Sequence, residues 1–170
     1  MHDFDPRLDL QIERDVALPP EKIWQAWTTP ALLMQWFCPK PWQVVACDID
    51  LRPGGLFRTV MQSPDGKDMP ANEGTYLAIE PQRRLVWTNA FGPQFRPQPK
   101  PQNEHLGFFF VVDLTLQALP SNGTRYRAKV MHQNEAAKAA HEAMGFEQGW
   151  GLALDQLVTL MSQDDKSSSG

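Results

Sequence analysis

Phe146, Trp150, Ala153, Leu154, Leu157, Val158 and Met161 recur at three- and four-residue steps near the end of the chain. That spacing gathers them into one apolar stripe of a helix expected over about 147–162. A stripe of this width must be buried, and the preceding residues indicate what covers it. Upstream the period falls to two. Segments 8–18, 43–50, 56–62, 71–80, 84–91, 105–118 and 124–132 read as strands. In the first, Leu10, Ile12, Arg14 and Val16 share a face. The connections are short. Arg52-Pro53-Gly54-Gly55 puts proline at the second and glycine at the third position, as a type II turn requires. Pro64-Asp65-Gly66 is a second turn, and Asn122-Gly123 is a hairpin signal. Short connections make the sheet antiparallel. A sheet with one apolar face needs a cover, and the terminal helix supplies it. The expected fold is therefore α+β: an antiparallel sheet of about six to seven strands gripping a long C-terminal helix.

Two short helices are expected after the first strand. Pro20 suits a first helical turn with Glu21 beside it, and Ile23, Trp24 and Trp27 share a face over 20–28. Pro30 opens a second helix, 30–36, carrying Leu32, Leu33, Trp36 and Phe37. Trp24, Trp27 and Trp36 are expected to close one end of the sheet. Asn134 is placed to cap a further helix that ends at Met144, with Gly145 beyond it. Residues 92–104 contain Pro93, Pro97, Pro99 and Pro101, which exclude a central strand. They are expected to form a surface insertion, with Phe91, Phe95 and Phe108 able to fold over an opening. The chain thus divides into an N-terminal extension (1–7), one domain (8–163) and a polar, disordered tail (164–170).

A length of 170 residues fits one domain. The formal net charge is −4 with no run of Lys or Arg, so nucleic acid is not expected as a partner. Cys38 and Cys47 form no CxxC pair and read as reduced, buried thiols. Residues 1–6 have neither a positive segment nor an apolar core of a signal peptide. No apolar run approaches the ~20 residues of a membrane span. A cytoplasmic location and a monomer or homodimer are expected.

Several motifs then occur in order. Trp24-Gln25-Ala26-Trp27-Thr28-Thr29-Pro30 precedes Trp36-Phe37-Cys38-Pro39. Leu51-Arg52-Pro53-Gly54-Gly55 precedes Phe57-Arg58. Gly74-Thr75-Tyr76, Ile79-Glu80-Pro81 and Arg84-Leu85-Val86-Trp87-Thr88 follow. Gly123-Thr124-Arg125, Met144-Gly145-Phe146, Gly149-Trp150 and Leu154-Asp155-Gln156-Leu157 complete the series. In these the chain resembles homologues of the C-terminal domain of the heat-shock protein 90 ATPase activator, within the SRPBCC or START-like superfamily. The resemblance spans about 8–163. It implies the helix-grip fold, and it points to a chaperone ATPase as one alternative partner. Because superfamily members range from lipid carriers to cyclases and co-chaperones, it does not by itself assign a function.

Strand parity assigns the inner face. Phe57, Thr59 and Met61 are followed by Thr75 and Leu77, then Leu85, Trp87 and Asn89. Phe110, Val112 and Leu114 come next, then Tyr126, Ala128, Val130 and His132. Met144, Phe146, Trp150 and Leu154 oppose them. An apolar lining with a few polar groups is how a small-molecule pocket is built; packed solid, the same residues would be an ordinary core. The expected ligand pocket is Phe57, Thr59, Met61, Leu77, Trp87, Asn89, Phe110, Val112, His132, Met144, Phe146, Trp150 and Leu154, for a small hydrophobic or aromatic ligand. No cofactor and no catalytic signature is expected. His132, Glu135 and His141 match no standard metal spacing. A cyclase- or hydrolase-like enzyme would need Glu73, Asn89 and His132 to converge. Gly149 and Gly151 each cost a helix about 1 kcal/mol relative to alanine, so either close packing against the sheet or a ligand-admitting helix start should account for them.

Overall fold

The computed structural model describes residues 4–101 and 107–168. The first part of the extension and residues 102–106 of the insertion lie outside the described residues, as do 169–170 of the tail. Strand β1 (Asp9–Val16) leads into helices α1 (Pro20–Thr28) and α2 (Pro30–Trp36). Strands β2 (Gln43–Ile49), β3 (Leu56–Gln62), β4 (Asn72–Glu80) and β5 (Arg84–Thr88) follow, then the two-residue strands β6 (Phe91–Gly92) and β7 (Arg96–Pro97). After them come β8 (Phe110–Ala118), β9 (Thr124–His132), α3 (Glu135–Ala143) and α4 (Phe146–Ser168). The main sheet has seven strands in the order β1-β9-β8-β5-β4-β3-β2, and every pairing is antiparallel.

The register lines up apolar rows across the sheet. Tyr76, Trp87, Val112, Val130 and Leu10 are successive cross-strand partners, and so are Ile79, Leu85, Leu114, Ala128 and Ile12. Tyr76, Val112, Val130, Leu85, Leu114 and Ala128 are wholly buried. Cross-strand pairing of this kind holds register, because a one-residue slip would turn every row to the opposite face. Arg14, on the same face of β1 as Leu10 and Ile12, reaches α4: its guanidinium donates to Asp155 Oδ1 at 2.8 Å.

Packing along α4 is graded. Leu154, Leu157 and Met161 are fully buried, while Trp150, one turn before Leu154, is only partly buried. Gln156 fastens the middle of the helix. Its Nε2 donates to the carbonyls of Trp36 (3.0 Å) and Cys38 (2.9 Å), and its Oε1 accepts from the Lys40 amide (3.0 Å). At the N-terminal side, the Asn134 side chain caps α3 by accepting from the Ala137 amide. Gly145 then turns the chain with φ +85°.

Six expectations are corrected. Leu77 is not on the inner face: the β4–β5 register shifts between Tyr76 and Ala78, so Tyr76 and Ile79 both point inward and Leu77 occupies the intervening bulge. Thr75 is displaced with it; it is buried on the other face, paired with Thr88. Strand β5 ends at Thr88, four residues after its start, because the Asn89 side chain is used to tie the chain to β8. The 105–118 strand begins at Phe110. The described part of the proline-rich insertion is ordered: Phe91 pairs with Pro97 around the turn Pro93–Phe95, and the Gln94 amide donates to Gly54 O at 2.7 Å. The Phe95 ring lies where a side chain on Gly54 would be. This ribbon packs on the Gly54 turn and does not cover the inner face. Finally, α4 runs to Ser168, past its expected end at Ser162 and into the segment expected to be disordered.

Replacing Leu157 with alanine should cost about 2–5 kcal/mol. Leu152 lies on the opposite, exposed side of α4, and its replacement by alanine should stay within about 0.5 kcal/mol. Urea unfolding of the two variants checks the seating of the helix; equal losses would contradict it.

Candidate ligand-binding cavity

Where α4 departs from the sheet, a cavity of about 570 Å³ remains. Its floor is buried and largely aromatic: Trp27, Trp36, Phe57, Trp87, Phe110, Tyr126 and Phe146, with Thr59 and His141. The rim is half-buried or exposed and carries Pro39, Trp42, Met61, Met69, Asn72, Met144, Gly149 and Trp150. Edge-to-face contacts fix the floor. Trp27 meets Trp36 at 5.0 Å, Phe57 meets Trp87 at 4.9 Å and Trp87 meets Phe110 at 5.7 Å between ring centres. The three rim methionines are unbranched and adaptable, which suits a mouth that accommodates different shapes.

Of the expected pocket residues, Phe57, Thr59, Met61, Trp87, Asn89, Phe110, Met144, Phe146 and Trp150 line this space. Leu77, Val112, His132 and Leu154 do not. Leu77 is turned away by the bulge. Val112 and Leu154 are sealed in the core deeper in the sheet, where α4 has closed on it. His132 is screened from the cavity by His141. The described residues of the insertion, 92–101, contribute nothing to the lining.

Gly149 has no packing reason to lack a side chain: a methyl there would lie 4.0 Å from the Pro39 ring and touch nothing else. Gly151 is overlain by the Arg14 guanidinium, which would have to shift to admit a side chain there. Close helix-to-sheet packing therefore does not explain Gly149, which borders the cavity mouth.

The polar groups proposed for catalysis are occupied. Asn89 Nδ2 donates to Phe108 O at 3.1 Å, and its Oδ1 accepts from the Phe110 amide at 2.9 Å, so the side chain splices the chain into β8. Glu73 lies 3.7 Å from Arg58. His132 is buried between Leu8 and His141: its Nδ1 is 2.8 Å from Leu8 O and its Nε2 is 2.9 Å from His141 Nδ1. Among the described residues no three His, Cys, Asp or Glu side chains gather as metal ligands. Sequence reasoning weighed His141 only as a metal ligand and missed it as part of the lining. The available signal was its position one turn after Ala137 on the buried face of an alanine-rich helix.

Burial governs the titration of these groups. It pushes the Cys38 and Cys47 thiols up to about 11, which leaves them protonated at neutral pH. It lowers His141 to about 4, with His132 adding repulsion. His132 is also lowered, first by burial and against the opposing effects of its bond to Leu8 and of Asp9.

A large antiparallel sheet closed by a C-terminal helix, with an aromatic cavity between them, defines a helix-grip protein of the START-like type. Residues 17–162 match the family described as Activator of Hsp90 ATPase homolog 1-like protein, and the chain belongs to that family. It is similar to a Nitrosomonas europaea protein of known crystal structure, 39% identical, with a TM-score of 0.88 over 96% of this chain and 99% of that one. A Rhodobacter sphaeroides protein is 24% identical with a TM-score of 0.78, covering 95% of this chain and 97% of its own, and shares the fold. An Arthrobacter aurescens protein, 21% identical with a TM-score of 0.77, covers 95% and 90% and also shares it. No curated protein matches the chain. Among the described residues, no helix is long and apolar enough to cross a membrane.

The buried histidines predict an acid-sensitive fold. Their folded pKa values lie below the ordinary 6.5, so between 6.5 and the folded value the unfolded chain binds protons that the folded chain refuses. Stability should be intact above pH 6.5, fall as pH drops towards about 4, and level off with respect to His141 below that. His141 alone would set a slope of up to about 1.4 kcal/mol per pH unit. Denaturant titrations at stepped pH should give a flatter slope for His141→Phe than for the wild type; identical slopes would refute the assignment.

Proposed function

We propose that the protein binds a small hydrophobic or aromatic molecule between the sheet and the start of α4, and that it does so without catalysing a reaction on it. The observation that carries this reading is the aromatic floor open to a methionine rim, of a size ordinary for small-molecule sites. The vacant position at Gly149 supports it. A helix that retains glycine where alanine would fit loses about 1 kcal/mol, and the open mouth is the feature that glycine preserves. The engagement of Asn89 and His132 in structural hydrogen bonds argues for binding over chemistry.

N-phenyl-1-naphthylamine, an apolar fluorescent probe, should bind saturably at one site, with energy transfer from the lining tryptophans. Gly149→Leu fills the mouth with no backbone clash and improves helix propensity. It should leave the melting temperature unchanged or raised and weaken the probe roughly tenfold or more, the equivalent of about 1.4 kcal/mol. Absence of saturable binding to the wild type, or equal affinity for the variant, would contradict the reading.

A further inference from the structure

The hydrogen-bond chain behind the cavity fixes what His141 presents to it. Leu8 O can only accept, so His132 Nδ1, 2.8 Å away, must carry a proton and donate it. The same carbonyl accepts from the His132 amide at 3.0 Å, which anchors the residue from two sides. A neutral imidazole with its proton on Nδ1 has only a lone pair on Nε2. His132 Nε2 therefore accepts, and its partner at 2.9 Å, His141 Nδ1, is the donor. By the same rule His141 Nε2 is left unprotonated, an acceptor.

Both rings are neutral near pH 7, since burial disfavours the imidazolium of each. The charged groups near the pair, Asp9 and Lys138, bear on His132, and Lys138 is itself paired with Glu142 at 3.1 Å. Around His141 stand the rings of Phe108, Phe110 and Phe146, at 5.1, 5.8 and 5.1 Å between centres. None of them can donate a conventional hydrogen bond. His141 is more than nine-tenths buried and lines the cavity, and among the described residues its Nε2 makes no hydrogen bond.

We propose that His141 Nε2 is a hydrogen-bond acceptor that sets specificity in the cavity, selecting aromatic or polycyclic ligands that carry an O–H donor of the phenol type over ligands of the same shape without one. The proposal rests on the binding reading given above and adds the chemical class of the ligand. A buried acceptor left unpaired by an apolar occupant loses the hydrogen bond it could make to water or solute. A hydroxyl ligand restores that bond, and a methyl ether cannot. His132 is a positioning residue: it never meets the ligand, and its bond to Leu8 sets the tautomer of its neighbour.

Two measurements test it. Long-range proton–nitrogen NMR spectra of the ligand-free protein at pH 7 should show both histidines protonated on Nδ1, with His141 Nε2 bare. Titration with 1-hydroxypyrene and 1-methoxypyrene should then favour the hydroxyl compound by roughly three- to tenfold, the range of one net hydrogen bond. Only the hydroxyl compound should shift the His141 Nε2 resonance. In His141→Phe the preference should fall to about onefold while 1-methoxypyrene still binds. A proton on His141 Nε2, equal affinities in the wild type, or a preference that survives in His141→Phe would overturn the proposal and leave cavity binding standing. Failure of both pyrenes to bind the wild type would remove the cavity reading, and this proposal with it.

Discussion

The seating of the distal half of α4 on the sheet is the contact on which the rest of the molecule depends. Leu154, Leu157 and Met161 lose nearly all their exposure there, at about 1.5–3 kcal/mol for each side chain taken from water. Leu85, Leu114 and Ala128 belong to the same buried cluster and are held in place by cross-strand register. With the distal half fixed and Gln156 stapled to the Trp36–Lys40 segment, the first turns of the helix stand free of the same requirement. They begin at Gly145, where the chain turns from α3, and they carry glycine where a larger side chain would close the gap. The cavity is thus the proximal half of the same interface, left unfilled.

This division separates stability from binding along a single helix. The residues that hold the fold are aliphatic and sealed. Those around the cavity are aromatic rings in edge-to-face contact, with methionines at the mouth. Rings locked by their neighbours keep a space open that flexible side chains would collapse into. The polar side chains at the inner end of this space, Asn89 and His141, and His132 behind them are committed to the backbone of Phe108 and Phe110, to one another and to the residue preceding β1. Of their polar atoms, His141 Nε2 is without a partner among the described residues.

Most of the fold was legible because local signals agreed with one another. Alternation placed β3 and β9 on the correct faces, Gly54 takes the positive φ that its turn requires, and Asn134 caps its helix. The misplacements share one physical origin: they are decided by contacts between segments far apart in sequence. Alternation has no way to register the extra residue in the β4 bulge, so Leu77 was put on the inner face. Asn89 reads as the end of a strand until its partners on either side of Phe109 are known. The prolines at 93 and 97 exclude a central strand but not a two-residue ribbon, and that ribbon exists because the Gly54 turn accepts Phe95. Trp27, Trp36, Trp42 and Met69 line the cavity without having been expected there, whereas Phe57, Trp87, Phe110 and Met61 followed from parity. His141 did not, because its role is created by His132 on a different element.

The most direct test of the central claim, that the sheet and the proximal half of α4 enclose an open apolar cavity, is a crystal structure of the protein under xenon pressure. Xenon partitions into apolar cavities without needing a polar partner. The account predicts xenon density among Phe57, Trp87, Phe110 and Trp150, with Leu154 and Leu157 packed as in the unpressurised protein. A space closed by the rings of Trp150 and Phe146, with no xenon in it, would contradict the account.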